Sequence, residues 1–327
     1  MSRIASLFDP MVKLLLLAIL LAFLVPAIDR TLEIARAVSN GAIFLLFFVN
    51  GLRIDRREIV RSFARLGFFL PLLLWVFVAM ALVGLGFAKL ASGVLPPMVA
   101  LGFLFLGTLP STIQSATSYT IIAGGNVALS VVGAALVNIA GVFVTVPLFA
   151  LLGGGVVANV GYETIIRIAL LLVLPLLLGL SIQNRARNWI ESRRSKLVWL
   201  DRVVIAIAVY VAFSGAVDQG IATQVTAIGW AWLFALVLLF LAVANFGSWM
   251  VGGLLQFPLA DRIAFLFAAS QKSVAIGAPL AALLFTPEVA GFIIAPLLLY
   301  HLVQLMLAAP LSTRLADRSL VQSHSSD

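Results

Sequence analysis

The sequence predicts an all-α polytopic membrane protein of ten transmembrane helices, arranged as two inverted five-helix repeats whose fourth and ninth helices are broken. Three observations predict it. Of the 327 residues 63% are hydrophobic and only 10% charged, against about 25% charged in an average soluble domain. The basic residues gather in alternate loops between apolar runs. Two polar interruptions fall at corresponding places in the two halves.

A bilayer core about 30 Å thick takes roughly 20 apolar residues per helix. Apolar runs bounded by charge clusters and by Pro or Gly place spans near 11–28, 37–53, 66–88, 96–123, 126–152, 161–184, 198–216, 226–255, 260–285 and 288–312. The run from Met11 to Ile28 has the length of a secretory leader. No small-residue cleavage site follows before Asp29-Arg30, so it reads as the first membrane helix.

The count is tested by charge. Loops on the cytoplasmic side of a membrane collect Lys and Arg. With ten spans, one face carries Arg3 and Lys13, then Arg53, Arg56, Arg57, Arg61 and Arg65, then Arg185, Arg187, Arg193, Arg194, Lys196 and Arg202, and finally Arg262, Arg314 and Arg318. The other face holds Arg30, Arg36 and Lys89, and its remaining loops carry the acids Glu163, Asp218 and Glu288 or no charge. A wrong count would scramble this alternation. The expectation is a multi-pass protein of the cell (inner) membrane with both termini cytoplasmic. The net charge of +8 then serves topology and anionic headgroups, and nucleic acid is no expected partner. With no cysteine in the chain, disulfides, thiolate metal sites and cysteine nucleophiles are excluded.

Ten spans divide after the fifth into halves near 11–152 and 161–312. Five is odd, so the halves run in opposite senses, the pattern of an inverted repeat. In the fourth span Leu109-Pro110-Ser111-Thr112-Ile113-Gln114-Ser115 interrupts the apolar run, and in the ninth Ala268-Ala269-Ser270-Gln271-Lys272-Ser273 does the same. Pro110 cannot donate a backbone hydrogen bond and disfavours helix at Leu109, so the chain should break over 109–115. The second cluster has no proline of its own (Pro279 lies two turns on), and a break over 268–273 follows from polarity and symmetry. Non-helical backbone survives at membrane depth only where protein or a water-filled cavity surrounds it. A matched pair of interruptions is therefore the strongest pointer to a transport site.

Lys272 is the one charged residue expected near the middle of a span, and no acid lies at comparable depth. A charge there is costly and should face protein or a cavity, unless the side chain snorkels to an interface. Three roles stand open: its ammonium occupies the place of a lost cation, held by half-helix carbonyls, Gln114 and hydroxyls; it gains and loses a proton during transport; or it binds an anionic substrate. Ser270, Gln271 and Ser273 flank it. Thr112, Gln114, Ser115, Thr117, Ser118, Asn126, Ser130 and Asn138 are expected to line or support the same region. His301 and Gln304, three residues apart on the tenth span, share a helix face and stand second. Trp75, Trp230, Trp232 and Trp249 read as interface or packing aromatics.

On these residues the chain resembles the bile acid:sodium symporter superfamily. Gly125-Asn126-Val127-Ala128-Leu129-Ser130 is similar to that family's Gly-Asn-Val-Ala-Leu-Ser; Gln271-Lys272-Ser273 to its Glu-x-x-x-Gln-Asn-Ser; Asn50-Gly51-Leu52-Arg53 to its Gly-Leu-Arg. The resemblance implies a core domain, about 66–152 and 226–312, in which the two broken helices cross. It implies a smaller panel domain, about 11–53 and 161–216, with a small-molecule substrate bound between them and alternating access as they move. It also places the family's sodium-binding Glu at Phe267, its Asn at Lys272 and its Ser-Asn pair at Ala116-Thr117. Ser130 is kept, while the Thr one turn later is Ala134. The pattern looks like a divergent branch with Leu-Pro-Ser-Thr in the fourth helix and Gln-Lys-Ser in the ninth, whose sodium sites would be degraded. The implied function is secondary active transport of a small organic anion, with H⁺ or Na⁺ as coupling ion and no other cofactor.

Other classes fare worse. No His-Glu-x-x-His and no Ser/His/Asp set or paired carboxylate occurs in the deep spans, so an enzyme is not expected. An arsenite carrier of this architecture would need a cysteine. A scaffold that moves nothing should tolerate changes at Gln271 and Lys272. Nothing in the sequence sets the oligomeric state.

Overall fold

The computed structural model describes residues 10–53, 65–153, 166–167 and 169–324, and every regular element among them is helical. Helix α1 is Pro10–Leu24 and α2 Asp29–Arg53; α3 runs over Leu66–Ala91 with a π turn at Trp75–Ala79. Next come α4, Pro97–Thr108, α5, Ile113–Ile122, and α6, Val127–Leu152. A π turn at Ala169–Val173 leads into α7, Leu174–Ser192, and α8 is Arg194–Asp218. The single turn α9, Ile221–Gln224, precedes α10, Ala227–Leu254. The chain ends with α11, Leu259–Ser270, α12, Val274–Leu284, and α13, Pro287–His324.

Eight described spans, with α11 and α12 taken together as one, are long and apolar enough to cross a membrane, or nine when α4 and α5, bent by 62° at their break, also count as one. The run predicted as the first span forms α1, which at 15 residues falls below that length. It stops at Leu24 rather than Ile28 because Pro26 removes a donor and restrains Val25. The second helix begins at Asp29, earlier than position 37. Asp29 stands in its first turn, where an acid suits the helix dipole, and Arg30 and Glu33 lie on its exposed face. The last helix likewise continues past residue 312, to His324. Arg3, Arg56, Arg57, Arg61 and Glu163 of the charge argument, and the start of the span expected at 161, lie outside the described residues.

Burial sorts the helices. The most apolar stretch of α2 or α7 is 28% buried, whereas that of the α11–α12 pair is 94% buried. The pair is the centre of the molecule. The outer helices turn leucines such as Leu16, Leu20, Leu70, Leu82 and Leu178 outward, as a lipid solvent requires. Phe87, Phe103, Phe240 and Tyr300 stack into one aromatic column of the main core. Of the tryptophans, Trp230 and Trp232 are exposed, and Trp249 lies under the Arg262 guanidinium, 3.9 Å from its ring centroid.

Close approaches use glycine. A Cβ on Gly141 of α6 would lie 2.6 Å from Pro110 Cγ. Gly141→Leu should therefore destabilise the protein by about 1–3 kcal/mol through overpacking, read as a lower melting temperature of the purified chain. At the far end of the molecule, a Cβ on Gly215 of α8 would collide with the backbone of Pro287, and one on Gly291 of α13 with Ala212.

Candidate functional site

The two broken helices have the same build. Each follows a proline in extended conformation, Pro96 (φ −52°, ψ 141°) and Pro258 (φ −51°, ψ 150°), and each first half, α4 and α11, is 12 residues long. Each then ends on an extended residue, Leu109 (φ −75°, ψ 147°) and Gln271 (φ −76°, ψ 128°). The second halves start from extended Thr112 and Ser273. The breaks are shorter than the polar clusters suggested. Ile113–Ser115 and Ala268–Ser270 are helical, and the non-helical residues are 109–112 and 271–273.

A helix ending inside a membrane leaves carbonyls that need donors. Here every carbonyl from Phe105 to Ser111 has one. Phe105 O accepts from Thr108 Oγ1 (2.8 Å) and Leu106 O from the Leu109 N–H (3.4 Å). Lys272 Nζ donates to Gly107 O (3.1 Å) and Leu109 O (2.7 Å), and Thr145 Oγ1 to Thr108 O (3.0 Å). The Ser273 N–H reaches Pro110 O (3.1 Å), and Asn138 Nδ2 reaches Ser111 O (2.6 Å). The second break is held by side chains from neighbouring helices. Tyr300 Oη donates to Ser270 O (2.6 Å), and Ser273 Oγ accepts from the Ile276 N–H (3.3 Å). Gln304 spans Lys272 itself: its Oε1 accepts from the Lys272 N–H (2.8 Å), and its Nε2 donates to Lys272 O (3.0 Å). Ser115 Oγ donates to Gln271 Oε1 (3.1 Å), tying α5 to the second break.

Lys272 is thus the hub. It is fully buried, so it does not snorkel. Its ammonium sits at the C-terminal end of α4, where the helix dipole presents negative charge. Its partners are carbonyls, and no carboxylate pairs with it among the described residues. The expectation that Gln114 helps to hold it does not survive, because Gln114 is exposed on α5 and the carbonyls take the ammonium.

The other expected residues divide. Ser270, Gln271, Ser273, Ser115, Asn138, Gln304 and His301 gather at the junction of the breaks. Ser270 and Thr117 carry hydroxyls with no hydrogen-bond partner among the described residues. Thr112 borders the first break, half-buried, without capping its helix. Ser118, one turn after Gln114, is exposed on the same face of α5. Ser130 accepts from Thr120 Oγ1 (3.0 Å), joining α6 to α5. Asn126 lies apart: its Oδ1 caps α6 at the Leu129 N–H (3.2 Å) and its Nδ2 donates to Asp261 (2.8 Å), which also pairs with Arg65. Phe267, Ala116 and Ala134, at positions the family resemblance gives to sodium ligands, are fully buried apolar residues.

Sequence reasoning missed Thr108, Thr145 and Tyr300. A signal for Thr145 existed: Asn138, Gly141 and Thr145 recur at helical spacing along one face of an otherwise apolar α6.

A model of the SBF-like CPA transporter family matches residues 9–317. The chain belongs to that family. Among the relatives of this SBF-like transporter, an uncharacterized protein of Pseudomonas aeruginosa is 34% identical over 320 residues, covering 97% of this chain and 96% of its own. The "Putative symporter YfeH" of Escherichia coli is 32% identical over 95% of this chain and 94% of its own. "Sodium/bile acid cotransporter 7" of Danio rerio is 26% identical over 84% and 82%. These likenesses fit the divergent branch of the bile acid:sodium symporters. The SBF-like chain is a multi-pass membrane transporter, with the bilayer as its solvent and a small molecule as its cargo.

Proposed function

We propose that this SBF-like chain is a secondary active transporter of a small organic anion, in which the fixed cation Lys272 replaces the sodium chemistry of the wider family. The observation that carries the reading is the Lys272 ammonium, fully buried where the two breaks meet and held by the Gly107 and Leu109 carbonyls. Buried Phe267, Ala116 and Ala134 support it, since none of their side chains offers an oxygen to a metal cation.

In this reading the protein spans the inner membrane ten times, with α1 counted as the first span, both termini in the cytoplasm and repeats near 11–152 and 161–312. A core of about 66–152 and 226–312 moves against a panel of about 11–53 and 161–216. The packing of α1 and α2 on α8, and of α2 on α7, is consistent with such a panel. So is the unequal exposure of the second half-helices. Gln114 and Ser118 on α5 are open, whereas α12 is buried and packs against α8. In this reading the exposed face of α5 is the open side of the junction and buried α12 the closed one, as alternating access requires of any one state.

The names of the vertebrate relatives favour a second reading, a sodium-coupled symporter with rearranged ion sites. A thermal-stability screen of the purified chain against organic anions, with and without sodium and between about pH 5 and 8, separates the two. The expected result is stabilisation by an anion that sodium does not alter. Stabilisation that depends on sodium would sink the fixed-cation reading, and none by any anion would point to a scaffold.

A further inference from the structure

His301 is a buried titratable group on the tenth expected span, one turn before Gln304. Its Nδ1 lies 2.8 Å from Gln304 Nε2, on the same helix. The two ends of the Gln304 amide are distinguishable here because the Lys272 N–H is a donor and must face Oε1 (2.8 Å). That leaves the NH₂ group to serve Lys272 O (3.0 Å) with one hydrogen and His301 Nδ1 with the other. An amide nitrogen donates only. Nδ1 must then accept, and the imidazole is neutral in this arrangement.

A proton on Nδ1 changes this. It takes up the nitrogen lone pair, nothing leaves, and the resulting imidazolium has a hydrogen on both ring nitrogens. Gln304 loses its acceptor and faces an N–H with an N–H. Turning the amide over would give His301 an oxygen, but would set NH₂ against the Lys272 N–H and Oε1 against Lys272 O. The clamp on Lys272 and a protonated Nδ1 exclude each other.

We propose that His301 is a proton-sensing positioning residue: through Gln304 its unprotonated Nδ1 holds the break at Lys272 closed, and a proton bound there releases it. By linkage, any movement that opens the clamp makes His301 readier to take a proton. This identifies H⁺ as the coupling ion, a consequence that rests on the transport reading above. Around His301, α4, α10 and α12 carry no titratable side chain. Tyr119 of α5 donates to Leu305 O and Tyr300 to Ser270 O. On α11, Asp261 and Arg262 lie at the opposite end from Ser270, bound to Asn126 and Trp249. On α8, Asp201 pairs with Arg53 and Tyr210 donates to Val25 O; Lys196, Arg202 and Asp218 are further charged groups of that helix, and Glu288, Arg314 and Asp317 lie on α13 itself, each at least 13 residues from His301. Among the described charges, the Lys272 ammonium belongs to the residue that Gln304 joins to His301.

Hydrogen–deuterium exchange of the Lys272 amide in the full chain, in lipid nanodiscs, tests the switch without substrate. His301→Asn puts an acceptor in place of Nδ1 that takes no proton. The ratio of exchange rates, wild type over His301→Asn, cancels the intrinsic pH dependence. It should stay near one at about pH 8 and rise about tenfold towards pH 5, while His301→Leu should exchange fast throughout. A flat ratio overturns the proposal and leaves the transport reading standing. Should His301→Asn not fold, the imidazole nitrogens decide. The chain has two histidines, so in His324→Gln the nitrogen spectrum reports His301 alone. An unprotonated Nδ1 at about pH 8 that gains a proton as the Lys272 amide loses protection supports the switch. A protonated Nδ1 at that pH, or gain without loss of protection, overturns it.

Discussion

Lys272→Met is expected to cut uptake of the anion found by the stability screen at least a hundredfold, about 2.8 kcal/mol, with a much smaller effect on stability. Two terms oppose each other in the fold. The Gly107 and Leu109 carbonyls lose their donor, at about 1–3 kcal/mol each when buried. Against that, methionine removes the cost of keeping an ammonium out of water with no carboxylate beside it, several kcal/mol in real proteins. These cancel to within a few kcal/mol, so the folded variant should survive purification. Transport has no such compensation, because the full charge that Lys272 places at the junction is gone. Uptake into liposomes, read beside the melting temperature, separates the effects. Full uptake by the variant would remove Lys272 from the mechanism.

Gln304→Leu should be the most destabilising single change at the site. Its amide serves both backbone groups of Lys272 and His301 Nδ1, and leucine serves none. Two buried backbone groups left unpaired cost about 2–6 kcal/mol together, a large share of a typical stability of about 5–15 kcal/mol. Gln304→Glu tests the direction of the bonds. A carboxylate still accepts from the Lys272 N–H but donates to neither Lys272 O nor a neutral His301. It should fall between wild type and leucine in thermal unfolding.

The first break was legible because proline imposes it through covalent geometry. The second was legible only by analogy with the first, and its true limits, 271–273, follow from bonds that no local pattern announces. Lys272 stood out as a charge in an apolar run. Its partners did not, because they are backbone carbonyls, and any residue at 107 or 109 would present one. The misreading of Gln114 has a similar origin. Gln114 and Ser115 are adjacent in sequence but 100° apart around a helix, and only the packing of α5 against α11 decides which of them faces Gln271. Gln304 was read as His301's neighbour. Its grip on a residue 32 positions away is tertiary.

The glycines of α8 and α13 have a mechanical consequence. At Gly215 and Gly291 the two helices meet backbone to backbone, against Pro287 and Ala212, and among the described residues no hydrogen bond crosses the patch. No side chain from either glycine forms a knob that would have to climb out of a hole. Parting or sliding there forfeits only dispersion contacts, about 0.1–0.2 kcal/mol for each atom pair. The Lys272 junction is riveted by directional bonds, whereas this patch works as a plain bearing, two surfaces in close fit that can slip without a hydrogen bond being unfastened.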